Sequence, residues 1–405
     1  MTQLTTTRCL LNLLAFQSDA ALLSRVQQID PEGWSDILTQ AQHQRVVPLL
    51  YDKLRMSPDV WALVPVKSQQ FFQARARRIS LLCLKTVGEL LRLLPRLEAK
   101  NIPVIGLKGI HLSEFVYTSR TLRPMRDIDI LIHKRDLAAV DAILCDLGYQ
   151  SAEEKQNWYA ENHYHFEYWS DAAQFSIEVH WNIQKSTSAF PIDLASWWQN
   201  AQLKQVRETQ MRVLAPEEAL THASIHLVNH RCQDGFKSLY DVAMMLNTPS
   251  FEVDWQRLLK LAAEQSVNGP IYLTLRLAQD LLNVEVPTNV ITQLQDPNLT
   301  PAVYDWFKRQ ISADLPNQHD EFTVSPHFAK AWRTRNPIKK ISTLLRSTQL
   351  PVDSIESKNE SSENTSLAPD TLLSRIRRYS QRIGQLLKGD PALETEIDVL
   401  HWLSS

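Results

Sequence analysis

Cysteine is scarce: Cys9, Cys83, Cys145 and Cys232 are the four in 405 residues, widely scattered and without a C-x-x-C pair. That spacing excludes a disulfide scaffold or a zinc ribbon, and a reduced, cytoplasmic protein is expected. An excess of charge of one sign is also missing, since 43 basic residues face 45 acidic ones. Nothing in that balance draws the whole chain to nucleic acid or to an anionic membrane, so partners have to be read locally. No apolar run approaches the roughly 20 residues that span a bilayer. The early stretch CLLNLLAF is apolar for only about two turns, follows no cluster of positive charge and runs into polar QSD. It reads as an ordinary helix and not as a signal peptide. Glycine is nearly absent from the first hundred residues, where Gly33 and Gly88 stand alone.

What is present suffices for a large core, with 44% hydrophobic residues, and the chain length implies two or three lobes. Residues 1–100 carry apolar positions three and four apart, in LLNLLAF, AQHQRVVPLLYDKL and the long KSQQFFQARARRISLLCLKTVGELLRLLPRLEAK, which predicts a helical region. The period then changes to two. Between 101 and 215 an α/β texture is expected. IPVIGL, RDIDILI, HYHFEYW and FSIEVHW read as strands, the last two joined by a hairpin at 170–174. GIHLSEFVY and KRDLAAVDAILCDLG read as helices, the second closed by Gly148. From Pro216, well suited to a first helical turn, helices are expected through 216–350. The Ser-, Asn- and Glu-rich 351–370 predicts a flexible linker. Residues 371–405 are expected to hold a basic amphipathic tail helix, a candidate for partner binding.

Inside RDIDILI sit two carboxylates, Asp127 and Asp129. Alternation along a strand sends both to one face while Ile128 and Ile130 enter the core. Burying such a pair requires water, hydrogen bonds or a cation, and two carboxylates so spaced can converge on a hard divalent ion. In FSIEVHW the apolar Phe175, Ile177, Val179 and Trp181 alternate with Ser176, Glu178 and His180, so Glu178 is the natural third carboxylate. GLKG, twenty residues earlier, links strand to helix, where free backbone N–H groups favour an anion. Lys108 is then a candidate phosphate contact, and Gly109 would admit a close approach of backbone to ligand. Arg123 and Arg126 either contact the nucleotide or hold the aspartates by salt bridges. His163, His165 and His180 share the polar strand faces, either as metal-shell or acceptor contacts or as hydrogen-bonded sheet histidines. His222, His226 and His230 recur every four residues, but a straight helix separates them by about 6 Å per step, so they cannot all reach one ion. A helix face lining the cleft is the preferred reading, with His226 or Asp241 as substrate contacts.

The order K-G, helix, R-x-x-R-D-I-D-I-L-I, helix, G-Y, I-E-V-H-W resembles the nucleotidyltransferases of the DNA polymerase β superfamily, and within it a poorly characterised bacterial family with LKG in the leading turn. AQHQRVVPLLYDKL and the H-x-x-x-H helix with LYDVAMML are similar to that family too, and the resemblance covers about residues 35–315. It implies an α+β fold: a nucleotidyltransferase-like mixed sheet with helices, flanked by N-terminal and C-terminal helical lobes. It also implies metal-dependent transfer of a nucleoside monophosphate from a nucleoside triphosphate, expected to be ATP, to a small-molecule or protein hydroxyl, with Mg²⁺ (or Mn²⁺) as cofactor. Asp127 and Asp129 match the D-x-D metal ligands, and Glu178 takes the place of the third carboxylate, which helps activate the acceptor. Lys108-Gly109 stands where most of the superfamily has Gly-Ser. The alternative reading is a nucleotide-binding or regulatory protein with impaired turnover. Nucleic acid is not expected as acceptor, because no long basic stripe interleaved with aromatics occurs.

Overall fold

The computed structural model describes residues 5–151, 163–184, 190–232, 235–314, 324, 326–333, 385–386 and 388–404. The chain divides into two compact units, one formed by 1–297 with 308–319 and the other by 298–307 with 320–405.

The first unit opens with helices α1 (Thr6–Leu14), α2 (Asp19–Val26), α3 (Pro31–His43), α4 (Val47–Arg55), α5 (Pro58–Leu63) and α6 (Val66–Ala99). Thr5, Ser18 and Asp30 cap the first three, each side chain accepting a hydrogen bond from a first-turn backbone N–H, which satisfies donors the helix itself leaves open. In α6, Phe72, Ala76, Cys83, Val87, Leu90, Leu94 and Leu97 recur at helical spacing as the buried stripe. The helix ends where Asn101 turns left-handed (φ 53°) and Ile102 N–H reaches back to the Leu97 carbonyl at 3.0 Å.

The sheet has seven strands: β1 (Ile105–Gly106), β2 (Asp127–Leu131), β3 (Gln150–Ser151), β4 (His165–Ser170), β5 (Phe175–His180), β6 (Gln202–Val206) and β7 (Thr209–Val213). Their order across the sheet is β3-β4-β5-β2-β1-β7-β6. β2 and β5 run parallel, as do β1 and β7, while β1–β2, β3–β4, β4–β5 and β6–β7 are antiparallel. The expected mixed α+β architecture is therefore present. β3 and the β6–β7 pair extend it beyond the strands anticipated from sequence. Between the strands lie α7 (Lys108–Phe115), α8 (Leu137–Asp146) and α9 (Leu194–Asn200). Ile128, Ile130, Ile177 and Val179 lie fully buried with Leu90, Leu93, Leu94 and Leu97 of α6 and Val140, Ile143 and Leu144 of α8. At about 1.5–3 kcal/mol for each large aliphatic side chain so buried, this layer fixes the strand faces, and the opposite face is left for the polar residues.

Helices α10 (Pro216–Asn229), α11 (Lys237–Asn247), α12 (Trp255–Glu264), α13 (Asn268–Leu282), α14 (Thr288–Leu294) and α15 (Pro301–Ser312) follow. Helical segments from far-apart parts of the chain join: Phe16 N–H donates to the Leu282 carbonyl at 2.9 Å, and Phe236 N–H donates to Gln44 Oε1 at 3.0 Å.

In the second unit, α16 (Pro326–Arg333) and α17 (Pro391–Leu403) contribute to a small core of Val324, Phe328, Ala329, Leu386, Leu393, Ile397 and Leu400. The chain turns at Gly389 (φ 73°), and Asp390 caps α17. That helix carries Glu394, Glu396 and Asp398. The linker 351–370 and the arginine-rich 371–384 lie outside the described residues. No described helix is long and apolar enough to cross a membrane.

Candidate active site

The parallel pairing of β2 with β5 sets Asp129 opposite Glu178, Asp127 opposite Ser176 and Leu131 opposite His180. Because Ile128 and Ile130 are held in the core, both aspartates turn to the other face, where Glu178 and His180 meet them. His180 Nε2 lies 3.1 Å from Asp129 Oδ1 and 3.3 Å from Glu178 Oε2. Lys108 Nζ donates to the same Asp129 Oδ1 at 2.9 Å. The turn that carries this lysine is fastened to the same residue, for Leu107 N–H donates to the Asp129 carbonyl at 3.0 Å.

Charge and burial pull against each other here. Burial favours the neutral form of Asp129, but the Lys108 ammonium and His180 outweigh it and hold this carboxyl well below its ordinary range. Glu178 is also burdened by burial and by Asp129, yet the hydrogen bond from His180 and the Lys108 charge bring it down. Burial and the charges of Asp129 and Glu178 push Asp127 up to about 6. His180 is raised despite burial by its bonds to the two carboxylates. His165, opposite it across the β4–β5 hairpin, stacks on its ring with centroids 5.0 Å apart. Burial and the neighbouring His180 lower His165 to about 4.

The donor set fits a divalent ion. Ligand atoms of Asp129, Glu178 and His180 all lie within 4.8 Å of one another. Two carboxylates suit Mg²⁺, and an imidazole beside them suits Mn²⁺ at least as well. The structure thus brings Asp129, Glu178, His180 and Lys108 into direct contact, with Asp127 and His165 beside them. His226 on α10 is half-buried and stacks on His230, centroids 4.2 Å apart. Burial drives its pKa well below the ordinary value, and the Lys108 and Asp129 charges also reach it.

Three sequence readings change. Arg123 is not bonded to the aspartates of β2: its Nε and Nη2 donate to the two oxygens of Asp241 at 2.8 and 2.7 Å. Tyr117 donates to the same carboxylate at 2.7 Å. Asp241, read as a substrate contact, is therefore buried and fully engaged by its own chain. The side of Gly109 where a Cβ would stand is filled as well, 2.7 Å from Arg123 Nη1 and 3.0 Å from Met125 Sδ. The absent side chain makes room for the arginine. Arg126 stays exposed at the start of β2, and no ion pair to it occurs among the described residues.

Lys237 and Tyr164 were missed. Lys237 is half-buried one turn before Asp241 on α11. Burial, and then Arg123, lower it to about 8, while Asp241 and Asp127 pull the other way. The i, i+4 spacing from Asp241 in KSLYD was the available signal. Tyr164 stands edge-on to His165 at 4.6 Å, and burial chiefly raises its hydroxyl pKa, with Lys108, Glu178 and Asp129 all within electrostatic reach.

Two solved structures show limited similarity. One is the antibiotic-resistance factor ANT(2'')-Ia, at 15% identity over 39% of this chain and 81% of that one, TM-score 0.29. The other is an antigenic nucleotidyltransferase-like protein from Paracoccidioides brasiliensis, at 14% identity over 51% and 95%, TM-score 0.28. No curated protein matches. A family described as uncharacterised nucleotidyltransferases matches residues 30–283, a span running from α3 through the carboxylate-bearing strands to the end of α13, and the chain belongs to that family.

Proposed function

We propose that the protein is a metal-dependent enzyme that transfers a nucleoside monophosphate from a nucleoside triphosphate, with ATP as the first candidate, to a hydroxyl of a small molecule or a protein. The observation that carries this reading is the in-register placement of Asp129 against Glu178, with Asp127 on the same face and Lys108 closing the group. The LKG turn and R-D-I-D-I-L-I strand give the residue-level pattern within the family. Asp127, Asp129 and Glu178 are the metal ligands, with His180 within reach. A bound Mg²⁺ or Mn²⁺ supplies charge neutralisation for the attacking and leaving oxygens.

The chain's own groups do the rest. Lys108, and Arg126 from its exposed position, bind phosphate oxygens as cationic donors. The acceptor oxygen forms a bond to the α-phosphorus as the α–β phosphoanhydride bond breaks. Pyrophosphate leaves with the bonding electrons, and the acceptor proton passes to Glu178, which His180 orients. Tyr164, His165 and His226 line the approach. Arg123, Asp241 and Tyr117 position α11 against the core and make no substrate contact.

One feature favours the noncatalytic alternative. The Lys108 ammonium gives Asp129 a partner without any metal, so a chain that binds nucleotide and does not turn it over would still have a physical reason to keep that carboxylate. The test is incubation with each α-³²P-labelled nucleoside triphosphate and Mg²⁺ or Mn²⁺, followed by a search for labelled protein or metabolite. Label that requires Asp129 supports transfer. Saturable nucleotide binding with no label, and cellular function that survives the joint change of Asp127→Asn and Asp129→Asn, would establish the alternative.

A further inference from the structure

We propose that the Lys108 ammonium is a built-in second cation of the carboxylate site, so that the site takes up one divalent ion where three carboxylates would otherwise hold two. The proposal rests on the metal-binding reading above and specifies how many ions that reading requires.

Geometry carries it. Two carboxylate-rich strands meeting at a phosphoryl-transfer site can hold a pair of ions about 3.5–4 Å apart. Here one oxygen of the carboxylate group, Asp129 Oδ1, already receives Lys108 Nζ at 2.9 Å and His180 Nε2 at 3.1 Å. The lysine is not a surface residue that happens to swing inward. Its side chain is only 24% exposed. Its backbone sits in the left-handed region at φ 37°, a conformation that costs free energy in a residue with a Cβ and persists where the surroundings impose it. Those surroundings are specific. Gly106 pairs with Ile130 in the sheet, and Leu107 N–H donates to the Asp129 carbonyl at 3.0 Å. Each contact ties the turn to β2 within one residue of Asp129, so the strand that carries the aspartate also places the ammonium.

Charge gives the same count. Asp127, Asp129 and Glu178 bring three negative charges, and Lys108, whose field reaches all three, returns one. With His180 neutral, as a metal-side imidazole would be, a single divalent ion completes neutrality before nucleotide adds its own charge. A second ion on Asp129 Oδ1 would have to displace an ammonium held by the backbone or share an oxygen with it against direct repulsion. Asp127, Glu178 and the other oxygen of Asp129 are left for one ion. In a nucleotide complex the lysine would offer phosphate oxygens a fixed positive charge at the position a second ion would fill.

The count can be read without turnover. The full-length protein is mixed with an equimolar nonhydrolysable ATP analogue and titrated with Mn²⁺, and bound ions are followed by electron paramagnetic resonance. The wild type is expected to bind one Mn²⁺ per chain with an isolated-ion signal. Lys108→Met is expected to bind two with a spin-coupled signal, and Lys108→Arg, which keeps the charge, to stay at one. A coupled pair in the wild type overturns the proposal by itself and needs no variant to fold. A Lys108→Met protein that folds and still binds a single ion also overturns it. Absence of any bound Mn²⁺ in the wild type removes the metal reading and this proposal together, a result distinct from a count of two.

Discussion

Arg123–Asp241 and Lys108–Asp129 are both ion pairs with buried carboxylates, and they are built differently. The first is flat and closed: two parallel hydrogen bonds join guanidinium to carboxylate, a tyrosine hydroxyl takes a further place on the same group, and both side chains are nearly sealed, at 7% and 6% exposure. The second is open. A lysine sets a point charge on one oxygen, His180 shares that oxygen, and further carboxylates crowd the same face. A bidentate arginine satisfies its partner and leaves little for a ligand, whereas an ammonium satisfies one contact and leaves other acceptor positions open. The difference separates a structural clasp from the proposed reactive centre, although all four residues are simply charged in the sequence.

The largest expected effect tests the open pair. Glu178→Gln should lower nucleotidyl transfer by about 10²–10⁴-fold, the range for a lost acid–base group, while the urea midpoint stays close to that of the wild type. A large drop in stability with activity retained would reverse the assignment of the two regions. Next comes the clasp. Arg123→Ala leaves Asp241 buried with its main counter-charge gone and should cost about 3–5 kcal/mol in urea unfolding. Arg123→Lys should recover little of that, because a lysine cannot make two parallel bonds to one carboxylate.

A smaller effect lies between the two pairs, at Lys237. Its folded pKa is depressed from the ordinary 10.5 to about 8, so folding disfavours the charged form. The penalty is present in full below about pH 8 and disappears as pH rises toward 10.5. Lys237→Met should therefore raise stability at pH 7 by about 2 kcal/mol, after allowance for partial exposure, and the gain should vanish by pH 10.5 in thermal unfolding at stepped pH. The smallest concerns Arg126. Arg126→Ala should leave stability within about 0.5 kcal/mol and raise the KM for nucleotide by roughly two- to tenfold, the worth of one exposed phosphate contact.

The sequence made the strand faces legible because alternation is a local property. Asp127, Asp129, Glu178 and His180 could be assigned to polar faces from RDIDILI and FSIEVHW alone. The hairpin of β6 and β7 could not be found that way. Residues Gln202 to Gln205 are all exposed, so that strand has no apolar period, and it exists because β7 pairs with β1 from a hundred residues away. The clasp was hidden for the same reason. Arg123 and Asp241 are 118 positions apart, and both read as charged residues in suitable places for substrate. Gly109 reads in the sequence as a place for close backbone approach to a ligand, whereas its missing side chain makes room for a neighbouring arginine. Lys237 carried only a weak helical-spacing signal, since its burial depends on tertiary packing.

The parallel pairing of β2 with β5 also bears on when the protein becomes competent during synthesis. Asp129 leaves the ribosome 51 residues before His180, with Glu178 just ahead of the histidine and α8, β3 and β4 among the described elements in between. Until β5 docks alongside β2, the emerged aspartates have Lys108 alone for company. An incomplete chain therefore lacks Glu178 and His180 beside Asp129, and the cluster of the three is complete only once the central sheet has closed.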